Sequence, residues 1–251
     1  MTDEEEFESL YRDLEARMKT LAEADGDVFL PNPAPLGPVD YVFVCMEPSL
    51  HGWARSVDEA KEKVVVGFRN FLSSVEDFIL HFSIRQYLCD PNQRYHITDI
   101  SKGAMPVSSA DVERTQRYDR WTELLNEEIN LVSKAGVDIF AVGSNVARHL
   151  RQHRFPVAFM ELLHYSPQAA SHRAAMIVGH EDLYEAFKST ISHESFVTVA
   201  DEVLHASGIP SCFRSETLKR LMKSQLTESR MMLIFNYKRR FESTKTQNQT
   251  A

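Results

Sequence analysis

The sequence predicts a three-layer α/β/α fold with a central, mostly parallel four-stranded sheet, plus a helical C-terminal extension. Three observations carry this. Val39-Asp40-Tyr41-Val42-Phe43-Val44-Cys45 is almost continuously apolar and rich in β-branched and aromatic residues, the pattern of a strand buried on both faces. Two more such runs follow, Tyr95-His96-Ile97-Thr98-Asp99-Ile100 and Val137-Asp138-Ile139-Phe140-Ala141-Val142-Gly143. Amphipathic helical patterns separate them, and that alternation builds parallel sheets through right-handed crossovers.

In chain order, Phe7, Leu10, Tyr11, Leu14, Met18 and Leu21 recur at helical spacing, so residues 3–24 read as a helix. Pro31, Pro33, Pro35 and Pro38 make an extended entry to the first strand. Residues 56–66 carry no clear signal. Phe71, Leu72, Val75, Phe78, Ile79 and Phe82 place a helix over 68–88. After the second strand, Ser109 is the expected N-cap of a helix over 110–134. Ser144 is the expected cap of a short helix through Leu150. Phe155 to Leu163 reads as a fourth strand, and a short helix is expected near 182–191. Residues 195–236 read as two or three further helices. The polar run from Ser243 reads as disordered. The resulting division is an acidic helix over 1–27, an α/β domain over 28–192, a basic helical extension over 193–242 and a disordered tail over 243–251.

Composition narrows the function classes. No apolar run approaches the roughly 20 residues that span a bilayer, and the acidic N-terminus lacks the basic and apolar regions of a signal peptide. Cys45, Cys89 and Cys212 are scattered and odd in number, which fits a reducing, cytoplasmic compartment without disulfides. Three thiolates cannot hold an iron–sulfur cluster. The net charge of −8 is unevenly spread. Residues 1–27 hold 10 acidic and 3 basic residues, residues 28–211 hold 23 and 16, and residues 212–251 hold 3 and 9. The basic C-terminal segment is therefore a candidate surface for phosphates. No G-x-S-x-G elbow or phosphate-cradling glycine run is present, which argues against a serine hydrolase, a P-loop enzyme or a dinucleotide enzyme.

Three strands end in a polar residue: Glu47, Asp99 and His164. In a parallel sheet the strand ends face the crevice where α/β folds bind ligands. Met46-Glu47-Pro48, Tyr95 to Lys102 with Met105-Pro106, Gly143 after the third strand, and His164-Tyr165-Ser166-Pro167 with Ala170-Ser171-His172-Arg173 occur in an order and spacing that resembles the uracil-DNA glycosylase superfamily over roughly residues 36–190. The resemblance implies a monofunctional DNA glycosylase that flips a pyrimidine out of the stack and leaves an abasic site. It implies that Glu47 stabilises an oxocarbenium-like sugar and takes a proton from the attacking water, and that His164 hydrogen-bonds O2 of the departing base. Phe68 is the candidate aromatic cover for the flipped base, with Asp99 as its reader. Ser49, Lys102, Ser166 and Arg173 are candidate phosphate contacts. No lysine occupies a Schiff-base position. His164 and His172 lack a third ligand, so no metal is expected, and no cofactor. The expected state is a monomer.

Asp99 departs from the resemblance, because uracil-cleaving members typically place Asn there. An ionised carboxylate would repel O4 of uracil but accept the amino hydrogens of cytosine, and a protonated one could also serve cytosine N3. The favoured substrate is therefore a modified cytosine, the kind of base found in phage DNA. Ordinary uracil excision and a catalytically inactive DNA-binding module are the alternatives. Tyr165 replaces a motif proline, Ser49-Leu50-His51 differs from the residues usual after the first motif, and Gln168 is a poor wedge for a vacated stack.

Overall fold

A computed structural model describes residues 2–50, 52–109, 112–166 and 169–250. The fold is α/β, with a four-stranded parallel sheet, and the chain divides into two compact units. The first comprises residues 1–71 and 93–161, the second residues 72–92 and 162–251. No helix among the described residues is long and apolar enough to cross a membrane.

The first unit opens with α1 (Asp3–Ala24), started by a capping box between Thr2 and Glu5. Strand β1 (Val28–Phe29) is short and pairs antiparallel with β4 (Gly103–Ala104), a ribbon that the proline-rich entry does not announce. Strand β2 (Val39–Cys45) lies between β3 (Tyr95–Asp99) and β5 (Ser133–Val142). It is parallel to both, with Cys45 opposite Asp99 and Phe43 opposite Phe140. Strand β6 (Phe159–Leu162) completes the order β3-β2-β5-β6.

Alternation along β2 sends Val42 and Val44 into a core with Phe7, Tyr11, Leu125 and Ile129. Tyr41 and Phe43 take the opposite face, where Phe43 stacks on Phe140 at 4.8 Å. Both faces are buried, as an inner strand requires. Strand β5 begins four residues before the apolar run because Ser133 pairs with Val39 and the Lys134 ammonium donates to both Asp40 oxygens at 2.9 Å. A bulge follows, with Gly136 at φ 77°.

Helix α2 (Val57–Val65) fills the stretch without signal. The helix expected over 68–88 is divided. Phe71 sits at φ 58°, and Ser74 starts α3 (Val75–Ser83) through a capping box with Asp77. A π-helical turn over Ile84–Leu88 follows. Helix α4 (Arg114–Val132) starts later than expected, after Glu113 in a left-handed conformation, and Ser109 ends a 3₁₀ turn instead of capping it. Helix α5 (Ser144–Gln152) is entered through Gly143 at φ 101°, so Ser144 is its first residue rather than its cap.

The second unit contains α3 and the π turn with α6 (Ala170–Ala175), α7 (Glu181–Lys188), α8 (His193–Ala206), α9 (Ser211–Lys223) and α10 (Glu228–Thr250). The expected boundary at 192/193 does not separate compact units. Leu233, Ile234, Tyr237 and Phe241 of α10 are buried, and Arg230 donates to Glu76 at 2.8 Å. The backbone is helical to Thr250, where the polar composition predicts disorder from Ser243. Phe241 and Thr244 are buried, and Lys238 pairs with Glu242 one turn on, which carries the helix past Ser243.

Candidate active site

Residues at the carboxyl ends of β2 and β3 are tied together in the first unit. The Ile100 amide donates to the Cys45 carbonyl at 3.0 Å and the Leu50 amide to the Met105 carbonyl at 2.9 Å. Ser49 and Met105 extend the parallel pairing as an isolated bridge. This edge positions Glu47 and Asp99, two of the residues selected from the sequence.

The Glu47 side chain is only 5% exposed. Its Oε1 accepts from Arg114 Nε at 3.2 Å and Nη2 at 2.8 Å, and its Oε2 accepts from the Tyr118 hydroxyl. Burial, followed by the adjacent Glu47 charge, pushes the Tyr118 phenol well above its ordinary pKa, so the phenol remains the donor. Arg114 and Tyr118 lie four residues apart in the first turns of α4 and so present one face to Glu47. That spacing is readable from the sequence, but nothing there identifies Glu47 as the partner.

Asp99 is buried, and its Oδ2 accepts from Asn70 Nδ2 at 2.6 Å. Burial raises its pKa from 3.8 to about 8. Glu47 and Glu128 add to the rise, while Lys102 and the Asn70 hydrogen bond oppose it. Burial thus favours the protonated, neutral form of Asp99. Because Asn70 donates to Oδ2, that oxygen is an acceptor and the acid proton belongs on Oδ1. Asn70 is itself held, its Oδ1 accepting from the Phe71 amide at 2.9 Å and its own amide donating to the Pro31 carbonyl at 2.9 Å. It stands in Gly67-Phe68-Arg69-Asn70-Phe71, two residues from the aromatic candidate Phe68.

Lys102 corrects an expectation. It is buried, and its ammonium donates to Glu128 at 2.7 Å, to the Asp99 carbonyl at 2.8 Å and to Thr98. All three ammonium protons are used, so it is a core cation rather than a phosphate contact. Glu128 also meets His96 at 3.0 Å and accepts from Thr98 at 2.7 Å. Burial alone would raise Glu128, but Lys102 and His96 outweigh it and hold the carboxylate down to about 2. The polar residues within β3 thus anchor a buried network beneath the edge.

Phe68 is buried and stacks on Trp53 at 4.6 Å and 13°. Trp53 donates from Nε1 to the Ser49 carbonyl at 2.6 Å, which links this aromatic pair to the end of β2. Ser49 is half-buried.

His164 and Ser166 belong to the second unit. The Ser166 amide donates to His164 Nδ1 at 3.0 Å. Nδ1 therefore carries the lone pair, and in the neutral ring Nε2 carries the proton. Arg173 is a second correction: it is buried, and its guanidinium donates to the carbonyls of Tyr165 at 2.6 Å and Ser166 at 2.7 Å and to the Ser229 hydroxyl at 3.0 Å. It clamps the segment after β6 instead of facing a phosphate. His51, Pro167 and Gln168 lie outside the described residues, and with them the expected wedge position. The second unit also holds a basic cleft lined by Lys219, Arg220, Lys223 and Ser224 on and just after α9.

Comparison with protein-family models, curated proteins and solved structures finds no match to this chain.

Proposed function

We propose that this chain is a monofunctional DNA glycosylase that hydrolyses the N-glycosidic bond of a flipped pyrimidine, with a modified cytosine favoured as the target. The observation that carries the proposal is the buried Asp99, held by Asn70 at the same strand edge as Glu47, where burial favours its neutral form. With the proton on Oδ1, Asp99 donates to cytosine N3, while Oδ2 accepts an amino hydrogen beside the one from Asn70. Glu47 supports the developing oxocarbenium charge and receives the proton of the attacking water. His164 is the leaving-group residue that the resemblance implies, with Nδ1 accepting from the Ser166 amide. Phe68, backed by Trp53, offers a ring for the flipped base. Ser49 and Ser166 remain phosphate candidates, and Lys219, Arg220 and Lys223 add a cationic surface. The protein would act as a monomer in the reducing cytoplasm, with defence against phage DNA as its setting.

Two observations favour other readings. A neutral Asp99 turned the other way donates to O4 and accepts from N3–H of uracil, so the same acid also suits uracil excision. Glu47 has both oxygens engaged, and an Arg114 that never releases it would leave a binding module without catalysis. One experiment separates the three. DNAs carrying uracil, cytosine, 5-methylcytosine, 5-hydroxymethylcytosine or its glucosylated form are incubated with the protein, and alkali reveals abasic sites. Cleavage at a modified cytosine, lost in Glu47→Ala, supports the proposal. Cleavage at uracil moves the protein to uracil excision, and no cleavage with retained DNA binding leaves the binding module.

A further inference from the structure

A second cluster of chemically capable side chains lies in the first unit. His149 and His153 are one helical turn apart at the C-terminal end of α5, and Asp119 of α4 faces them. One ligand atom from each lies within 4.8 Å of the others. His153 Nε2 is 2.8 Å from Asp119 Oδ1. The rings of His149 and His153 have centroids 4.3 Å apart.

The protonation of His149 is set by its neighbour. Thr122 donates its only hydroxyl proton to the Tyr118 carbonyl at 2.8 Å, an oxygen that cannot donate in return. The 3.0 Å contact between Thr122 Oγ1 and His149 Nε2 therefore has Nε2–H as donor. The lone pair of His149 is left on Nδ1. A ring that donates one N–H to a fixed oxygen and keeps a lone pair on the other nitrogen has the protonation of a metal-binding histidine. Two imidazoles and one carboxylate, completed by water, form a donor set suited to zinc and similar divalent ions. The helix C-terminus adds a favourable dipole.

We infer that Asp119, His149 and His153 bind a divalent first-row transition-metal ion of the zinc type. The ion takes the place of the proton shared by Asp119 and His153. Ligand atoms bound at about 2.1 Å must approach more closely than 4.8 Å. The two residues that would move are the exposed ones, with side chains 33% exposed for His153 and 46% for Asp119, while His149 is buried and fixed. From the sequence no metal is expected at His164 and His172, and His149 and His153 stand at the spacing of a helical ligand pair without a third ligand nearby in the chain. Asp119 is 30 residues from His149, and only the packing of α4 beside α5 joins them. The inference is independent of the glycosylase reading.

The test uses the full chain, stripped with chelator and titrated with Zn²⁺ against a competing chromophoric chelator. Co²⁺ loading is followed by its visible absorption. The comparison is with Asp119→Asn and His153→Ala, two exposed positions whose folding is checked by circular dichroism. With 10 His and 3 Cys in the chain, the difference between wild type and variants is what counts. One equivalent of Zn²⁺ and a Co²⁺ band in wild type, both lost in each variant, support the site. Thr122→Val should weaken Zn²⁺ binding by roughly 10–100-fold through loss of ring orientation. Equal stoichiometry and affinity in wild type and His153→Ala would overturn the inference, as would the absence of any equivalent in wild type.

Discussion

Replacing Asp99 by asparagine should make the protein's stability less sensitive to alkali. Asp99 binds its proton more tightly in the folded state, where its pKa is about 8, than in the unfolded chain, where it is near 3.8. A raised folded-state pKa gives stability that is fully present below the unfolded value. It is lost as the pH rises from there through the folded value. The slope within that window is about 1.4 kcal/mol per pH unit. Between about pH 5 and 8 the Asp99 contribution should thus fall by up to roughly 4 kcal/mol. The asparagine introduced by Asp99→Asn is a neutral isostere that can still accept from Asn70, so the variant should lack this loss. Urea unfolding of both proteins across about pH 5–9 measures it. Subtracting one profile from the other removes other titrating groups such as Asp27, which burial raises to about 6. Parallel profiles, or a wild type that gains relative to the variant as pH rises, would refute a buried neutral acid at this position.

Other predictions concern the network and the surface. Lys102→Met should destabilise the fold by about 3–5 kcal/mol, measured by chemical unfolding, because it strands the buried Glu128 carboxylate. A surface phosphate contact would cost far less. Tyr118→Phe removes one donor to Glu47 and should lower the rate of base release, measured on the same modified-cytosine DNA. An unchanged rate would show that this hydrogen bond does not position Glu47 for catalysis. Lys219→Ser with Lys223→Ser should lower DNA affinity equally across sequences and flatten the logarithmic salt dependence by about 2.

The strands are legible where a local pattern decides the outcome. β2 matches its apolar run residue for residue, and α1 matches its helical period, because burial on two faces or one writes itself into adjacent residues. Periodicity misreads the helix over 68–88 because its apolar spacing continues through Phe71, whose positive φ breaks the backbone. Ser74 and Asp77 carry the correct boundary in a capping pattern that the periodicity obscures. At the site, Glu47 and Asp99 stand out because they follow strands. Asn70, Arg114 and Tyr118 do not, because their importance comes from contacts 29, 67 and 71 residues away. Lys102 and Arg173 mislead for a related reason: a basic residue near a motif suggests a phosphate, and its sequence does not reveal a buried acceptor. The two-unit division is hidden because residues 72–92 join a unit otherwise built from the C-terminal part of the chain.

The central claim is that Asp99 reads a modified cytosine that Glu47 helps to cleave. Mass spectrometry of the free base released from DNA tests it most directly, with wild type, Glu47→Ala and Asp99→Asn run side by side. The account predicts release of a 5-modified cytosine by wild type and its loss in Glu47→Ala by roughly 10²–10⁴-fold. It also predicts loss in Asp99→Asn, because an amide cannot pass a proton to N3 of the departing cytosine as the acid can. Release of uracil by wild type, or full release of any base by Glu47→Ala, would contradict it.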